Sequence, residues 1–582
     1  MIRLKRIPVP FLSACLCLFI GCYQLWRVRE APIGDFANYY YASQAYQEGA
    51  LGQGIYEPYA FNLWVNERSP APVFLNYAPV PPVSILAYLP FAGMEEMDVA
   101  KFWFSLIGLL LFVVAYYRLG REVEVGRGKS EGGKGKSEVR SRKGGSWEVE
   151  KSEVGSSKSE VGEEQPETES TFPFSLPTSD FRLWIYPLFL PLLCWTALYN
   201  NFFQGQSYLY IMAMLMEGYR SWASGKRLVA ALLWSLPIAL KIFPAILFVF
   251  LWLKKDWVTF LLTGLFASFF SLIPLFFLPF EITYDYFSHI LPRLFSGEIN
   301  DPFTILYQSM RVLLDKLLVF DLHLNPTPIA DIPYLSNWLY ALFQWVVLSL
   351  LVAIVSDKQK DPFVGFAMVI TAGLLISGYG SSYSMLMLLL PLIAYFFLQP
   401  SVWFCLASSF LLFLAGNIPI YLLKAWPLPW QFPRLYALLV FLGIVVWYIK
   451  PRISWKPILV IGLFLIGKEA ANVVQKHPNH AYYLPDGRQG IIYDYQYQKE
   501  GLLLTFFNAE GANQQVINTQ DTIWQDPQLT LTENQIYYSG QQLTFNHSRK
   551  LKPLRLNDTE LIFLSDEGRG VGFYTLRKMP LP

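Results

Sequence analysis

The sequence predicts an all-α polytopic membrane protein, with about 11–13 membrane segments, that carries a small β-rich domain at its C-terminal end. Three observations predict it. Of 582 residues, 53% are hydrophobic and only 15% charged, and the apolar residues gather in runs near membrane-spanning length; a soluble chain of that size divides instead into domains with charged surfaces. A segment of different composition interrupts the runs at 121–180, and beyond residue 472 short alternating runs replace them. The chain therefore divides into first membrane helices (1–120), a linker (121–180), the remaining membrane domain (181–472) and a β-rich domain (473–582). A formal net charge of +2 with no basic stripe excludes nucleic acid as a partner. Membrane lipids remain.

Arg3, Lys5 and Arg6 precede the apolar run Ile7 to Trp26, read as an uncleaved first helix with its N-terminus in the cytoplasm. The loop from Gly34 to Phe91 then falls on the outer face. It opens with Gly34-Asp35-Phe36-Ala37-Asn38-Tyr39-Tyr40, which puts a carboxylate at the lipid–water boundary. An ionisable group there is a functional candidate; the plainer reading is that Asp35 caps a surface helix. Residues 80–93 are too short and proline-rich to read as an ordinary span, whereas 99–118 read as one. In 121–180, Lys-Ser-Glu recurs at Lys129, Lys136, Lys151 and Lys158 amid Gly, Ser and Glu. Such a segment buries no core, and is expected to be disordered and cytoplasmic.

Apolar segments at 182–199 and 206–220 flank Asn200 to Gln206. The next run, 228–253, is broken at Lys241-Ile242-Phe243-Pro244 and has basic turns at both ends, which places Lys241 at the tip of a two-armed excursion towards the outer face. Further spans are expected at 257–280, 338–355, 363–378, 384–398, 402–420, 434–449 and 456–471, with a hydrophilic stretch at 281–337. Threading the charges through puts 28–79, 200–206, 281–337 and 378–383 on the outer face. Strand-like runs follow at Ile491–Tyr493, Leu502–Phe507, Leu529–Leu531, Ile536–Tyr538, Leu561–Leu564 and Val571–Leu576, divided by turns such as Ser539-Gly540. The five cysteines lack metal-site spacing with histidine and read as packing or lipid-facing residues. No Asp-x-Asp pair near Asp35 offers a cation its ligands, so no metal is expected.

Taken in order, Gly34-Asp35-Phe36 with Tyr39-Tyr40, Tyr56-Glu57-Pro58, Tyr77 to Pro82, Gly205-Gln206, Lys241-Ile242-Phe243-Pro244, and Tyr307-Gln308-Ser309 with Arg311 resemble the motifs of glycosyltransferase family 87 over roughly residues 1–450. The resemblance implies a GT-C-like fold. It also implies a plasma-membrane enzyme that moves a hexosyl group, typically mannosyl, from a polyprenyl-phosphate donor to a hydroxyl of a lipid or glycan acceptor on the extracytoplasmic side, without a cofactor. Asp35 then suits the general base. Lys241, with Arg293 and Arg311 behind it, suits the donor phosphate. Tyr39, Tyr40, Tyr56, Gln206, Gln308 and Tyr383 suit substrate binding. The family usually carries a histidine late in the chain; the stretch Ser377 to Tyr383 puts Tyr383 in its place, and His289 is a candidate substitute. A transporter or lipid flippase, or an inactive glycosyltransferase-like scaffold, is the competing reading. Polar residues gathered at helix ends rather than at mid-membrane, with no obvious repeat, favour the enzyme.

Single cysteines placed in 281–337 and 480–580 are expected to react with an impermeant thiol reagent added outside intact cells, and those in 121–180 to stay unlabelled. Outside labelling of the Lys-Ser-Glu segment would overturn this topology.

Overall fold

The computed structural model describes residues 9–29, 34–131 (except 57, 70–74, 76 and 78), 193, 195–471 (except 297–301, 321–324, 358–360, 379, 399–400 and 453–454) and, in the tail, 491–498, 501–508, 511–517, 525–566 (except 546–547) and 574–581. Among these residues four helices are long and apolar enough to cross a membrane: Pro10–Arg27, Met97–Glu122, Trp257–Phe277 and Pro333–Ser356. Shorter apolar helices, including Arg227–Leu240, Pro362–Ile376 and Pro433–Ile449, accompany them. At about 1.5 Å per residue a fifteen-residue helix reaches about 22 Å, short of a hydrocarbon core of about 30 Å. The apolar runs are thus cut more finely than hydropathy indicates. Prolines account for part of this, because each lacks the N–H that would continue the ladder.

At one end of the helical region the charges pair with each other. Arg220 meets Glu122 at 2.6 Å and Glu217 at 2.8 Å, Arg118 meets Glu217 at 3.2 Å, and Arg227 meets Asp256 at 3.3 Å. The contact between Arg227 and Asp256 has a topological meaning. Arg227 begins the helix Arg227–Leu240, and Asp256 follows the helix Leu247–Leu253, so the two arms run out and return. Lys241 lies at their far tip. The other end, around Lys241, is capped by the segment after the first helix. There Phe36–Gln47, Pro58–Asn66 and Val83–Ala92 share a core built on Phe36, Tyr40, Tyr77, Tyr88 and Phe104. Val83–Ala92 has ten residues, about 15 Å of helix. Rather than spanning, it lies against Phe36–Gln47, with the Ser43 hydroxyl donating to the Ile85 carbonyl at 2.7 Å.

The stretch 281–337, read only as hydrophilic, folds into Phe280–Asp285, the π-turn Tyr286–Ile290, Leu291–Ser296 and Met310–Leu318. Ile282, Tyr286 and Ile290 join the cap's core. The helix Met97–Glu131 runs past the linker boundary expected at 120, since extending an existing helix is far easier than nucleating one. Residues 132–180 lie outside the described residues.

Among its described residues the tail forms three antiparallel three-stranded sheets: Ile491–Gln498, Gly501–Asn508 and Gly511–Ile517; Leu529–Thr532, Gln535–Tyr538 and Gln541–Gln542; Lys550–Arg555, Glu560–Ser565 and Thr575–Pro580. The first and third sheets bury one core that includes Ile492, Tyr495, Leu504, Ile562 and Leu564. Three of the described strands escape the alternation pattern, the two-residue Gln541–Gln542 being too short to show one. Gly511–Ile517 carries Gln514 and Gln515 rather than alternating apolar residues, and Lys550–Arg555 contains Pro553 at a register shift, where a strand tolerates a missing N–H. The strand Ile491–Gln498 approaches the helix Pro58–Asn66, so the tail adjoins the capped end.

Candidate active site

Gly34, Asp35 and Phe36 enter the helix Phe36–Gln47 pressed against the turn Phe203-Gln204-Gly205-Gln206. A Cβ on Gly34 would sit 2.6 Å from Gln204 Oε1 and 2.9 Å from the Phe203 carbonyl oxygen. Gly205 has φ +61°, and a Cβ there would sit 2.4 Å from Phe36 Cβ. Neither contact admits a side chain. The two backbones are therefore close enough for the Asp35 N–H to donate to Gln204 Oε1 at 3.0 Å and for Gln206 Nε2 to donate to Asp35 Oδ2 at 2.6 Å. Asp35 does stand at the N-cap position of its helix, but its carboxylate makes no capping hydrogen bond. Its oxygens serve the tertiary contact instead.

Lys241 arrives from the broken excursion. It ends the helix Arg227–Leu240 with extended backbone (φ −149°, ψ 113°), after which Phe243–Ile246 forms a 3-10 turn. Its Nζ donates to the Tyr39 hydroxyl at 3.0 Å and lies 5.8 Å from the ring centres of both Tyr39 and Tyr208. Tyr39 stacks on Tyr88 at 4.4 Å, and Tyr208 lies 5.1 Å from Tyr383, so aromatic rings hold the lysine head in place. Asp35, Tyr39, Gln206, Lys241 and Tyr383 all line one cavity of about 690 Å³. Burial pushes the Asp35 carboxyl above the usual carboxylate range; the Lys241 cation and the Gln206 amide pull it part of the way back.

The other residues singled out by sequence fall into two groups. Arg311 lines the cavity, with Nε on Asp315 at 2.6 Å, an Nη on Asn337 at 2.7 Å and its guanidinium over the Tyr340 ring at 5.6 Å. Tyr40, Tyr56 and Gln308 are not brought to the cavity. Tyr40 donates to the Met94 carbonyl at 2.7 Å and Tyr56 to the Val80 carbonyl at 3.0 Å, while Gln308 donates to the Ile305 and Gln431 carbonyls at 2.8 Å each. They hold the walls, because a buried polar group must find a partner nearby. His289 lies outside the lining too, 3.3 Å from Asp285. The backbone of Arg293 belongs to the helix Leu291–Ser296; its side chain is outside the described residues.

The cavity also has members that the sequence reading passes over. Asn38 is one; its buried side-chain oxygen, like that of Gln206, which the sequence does single out, has no partner among the described residues. Gln344, Lys468 and Glu469 line it as well. Lys468 and Glu469 did carry a signal, two ionisable residues in the last turn of an apolar helix. Asn38 and Gln344 carried none, since an amide on a helix is unremarkable until its neighbours are known.

The family model for glycosyltransferase family 87 matches residues 80–378. That span includes Gln206, Lys241 and Arg311; Asp35 and Tyr39 precede it, and Lys468 and Glu469 follow it. No curated protein and no solved structure matches the chain.

Gly205→Ala forces a side chain into left-handed backbone, at about 1–2 kcal/mol, and against Phe36. A lower thermal-unfolding midpoint in detergent is expected, together with loss of turnover out of proportion to the lost stability. An unchanged midpoint and turnover would show that the two loops need not touch.

Proposed function

Because the chain belongs to glycosyltransferase family 87, and so is a membrane glycosyltransferase, we propose that it transfers a mannosyl or related hexosyl group from a polyprenyl-phosphate donor to an acceptor hydroxyl at the extracytoplasmic face of the plasma membrane. One observation carries the proposal. A carboxylate without a competing cap and a cation at a helix break face the same 690 Å³ cavity.

In this reading Asp35 accepts the proton of the acceptor hydroxyl as that oxygen attacks the anomeric carbon. The bond from that carbon to the phosphate oxygen breaks, and its electron pair leaves on the phosphate. Attack opposite the leaving group inverts the anomeric centre. Lys241 receives the developing negative charge, and the Tyr39 hydroxyl, which accepts from Lys241, keeps its own hydrogen to donate to a phosphate oxygen. A neutralised leaving group and an ionised base are both needed at once, and holding them within one low-dielectric cavity strengthens each. Arg311, ion-paired with Asp315, contributes less net positive charge to the phosphate than Lys241 does. The aromatic rings of Tyr208 and Tyr383 suit the faces of a sugar ring.

Asp35→Asn, assayed in membranes with labelled polyprenyl-phosphate mannose, is expected to lower turnover by about 10²–10⁴-fold, the usual contribution of a general base; near-normal turnover would remove Asp35 from that role. Lys241→Met is expected to weaken use of the donor far more than it lowers the unfolding midpoint, and equal donor dependence would refute the phosphate role. The pH dependence follows from the Asp35 environment. A base must be ionised, so kcat/KM should fall as pH drops through a pKa above the ordinary carboxylate range. Gln206→Leu deletes a hydrogen bond to the ionised form and should move that acid limb to still higher pH.

A further inference from the structure

The last apolar helix, Trp455–Ala471, lies wholly beyond the residues that the family model matches, yet its final turn delivers Lys468 and Glu469 to the cavity. It docks on the helix Pro333–Ser356: the Trp345 indole N–H donates to the Ile458 carbonyl at 3.0 Å, and Gly462 leaves room for that ring. Facing Lys468 and Glu469 across the same cavity are Tyr340 and Gln344 of Pro333–Ser356, with Arg311 beside them.

The chemistry of this second cluster differs from that around Asp35. Its charges balance in pairs: Lys468 lies 3.5 Å from Glu469, and Arg311 2.6 Å from Asp315. A site meant for a phosphate keeps an excess of positive charge, and this one does not. What it offers instead is directional hydrogen bonding. The Glu469 carboxylate is buried, its side chain 5% exposed, and Oε1 of Gln344 is buried with no partner among the described residues. Tyr340 adds a flat ring, its hydroxyl already committed to the Ile376 carbonyl at 2.6 Å. Buried carboxylate and amide acceptors next to an aromatic face match adjacent hydroxyl groups on a neutral ring.

We propose that Glu469, Gln344 and Tyr340 form a subsite for the hydroxyl groups of a neutral sugar, separate from the cluster of Asp35 and Lys241, and that the last helix thereby sets which sugar the enzyme accepts. The proposal rests on the glycosyltransferase reading but not on Asp35 being the base. Glu469 accepts from two neighbouring hydroxyls and Gln344 Oε1 takes a third, while Tyr340, its ring under the Arg311 guanidinium, forms the wall behind them.

The test uses the full-length protein in a detergent without sugar, with methyl α-mannopyranoside and undecaprenyl phosphate as probes of the unfolding midpoint. The wild type is expected to be stabilised by both. Glu469→Gln, nearly isosteric, should keep its own midpoint while its response to the mannoside weakens about tenfold in concentration, the loss expected for a hydrogen bond to a charged group. Gln344→Leu should do the same from the facing helix. Both variants should keep the response to undecaprenyl phosphate, and Asp35→Asn should keep the response to the mannoside even where its turnover is lost. In turnover, a raised KM for the donor in Glu469→Gln would place the donor's hexose at the subsite, and a raised KM for the acceptor would place the acceptor there. No mannoside response in the wild type, an unchanged one in Glu469→Gln, or loss of the undecaprenyl phosphate response instead would each overturn the proposal. A functional Asp35→Asn enzyme with a mannoside-insensitive Glu469→Gln would sink only the base assignment.

Discussion

The contact between the backbone at Gly34–Phe36 and the turn at Phe203–Gln206 is the constraint on which the cavity depends. It exists because two glycines leave no side-chain atoms between the strands of chain: one faces Gln204 and a carbonyl, the other sits in left-handed backbone against Phe36. With the backbones that close, an amide from the turn reaches Asp35 Oδ2, and the carboxylate no longer closes its own helix. Giving up a capping bond forgoes about 1 kcal/mol of local helix stability. In exchange the carboxylate is aimed into the cavity, where loss of water raises its affinity for a proton.

Lys241 has the complementary problem. A cation removed from water at the end of a short helix needs partners, and it finds a phenol oxygen and two ring faces rather than a carboxylate within ion-pair distance among the described residues. Such weak neutralisation is a poor choice for stability and a good one for receiving an anion. The break that puts the lysine there also frees backbone from the helical ladder, which is tolerable at membrane depth only beside a polar cavity. The out-and-back path of the two arms, closed at its far end by Arg227 and Asp256, keeps the tip from wandering.

Around this pair the cavity draws its wall from places far apart in the chain: the cap after the first helix, the turn before Tyr208, the broken excursion, the 3-10 turn at Ser382–Leu388 and the end of the last helix. The family match covers only the middle of that set. Asp35 precedes the matched span and Lys241 lies within it, while Tyr340 and Gln344 fall inside the span and only Lys468 and Glu469 come after its end. In the proposed reading, proton transfer and sugar recognition occupy different parts of one pocket, joined by lining residues such as Gly373, Gly378 and Ser384.

Membrane character, the approximate position of the apolar helices, the break at Lys241 and the β-rich tail were legible in the residues alone, because each follows from local composition: apolar length, proline chemistry and period-two alternation. Asp35 and Lys241 were legible as candidates for the same reason, being charges where charge is expensive. Which candidates share a cavity was not. Tyr40, Tyr56 and Gln308 have the same residue types as Tyr39, Tyr208 and Gln344, yet the first three spend their polar atoms on nearby carbonyls and only the second three face the cavity. That division is made by helix rotation and by long-range contacts such as Gly34 against Phe203, which no local pattern encodes. Lys468 and Glu469 make the same point from the far end of the chain: their charge is written in the sequence, but the neighbours that give it a use are supplied only by the fold.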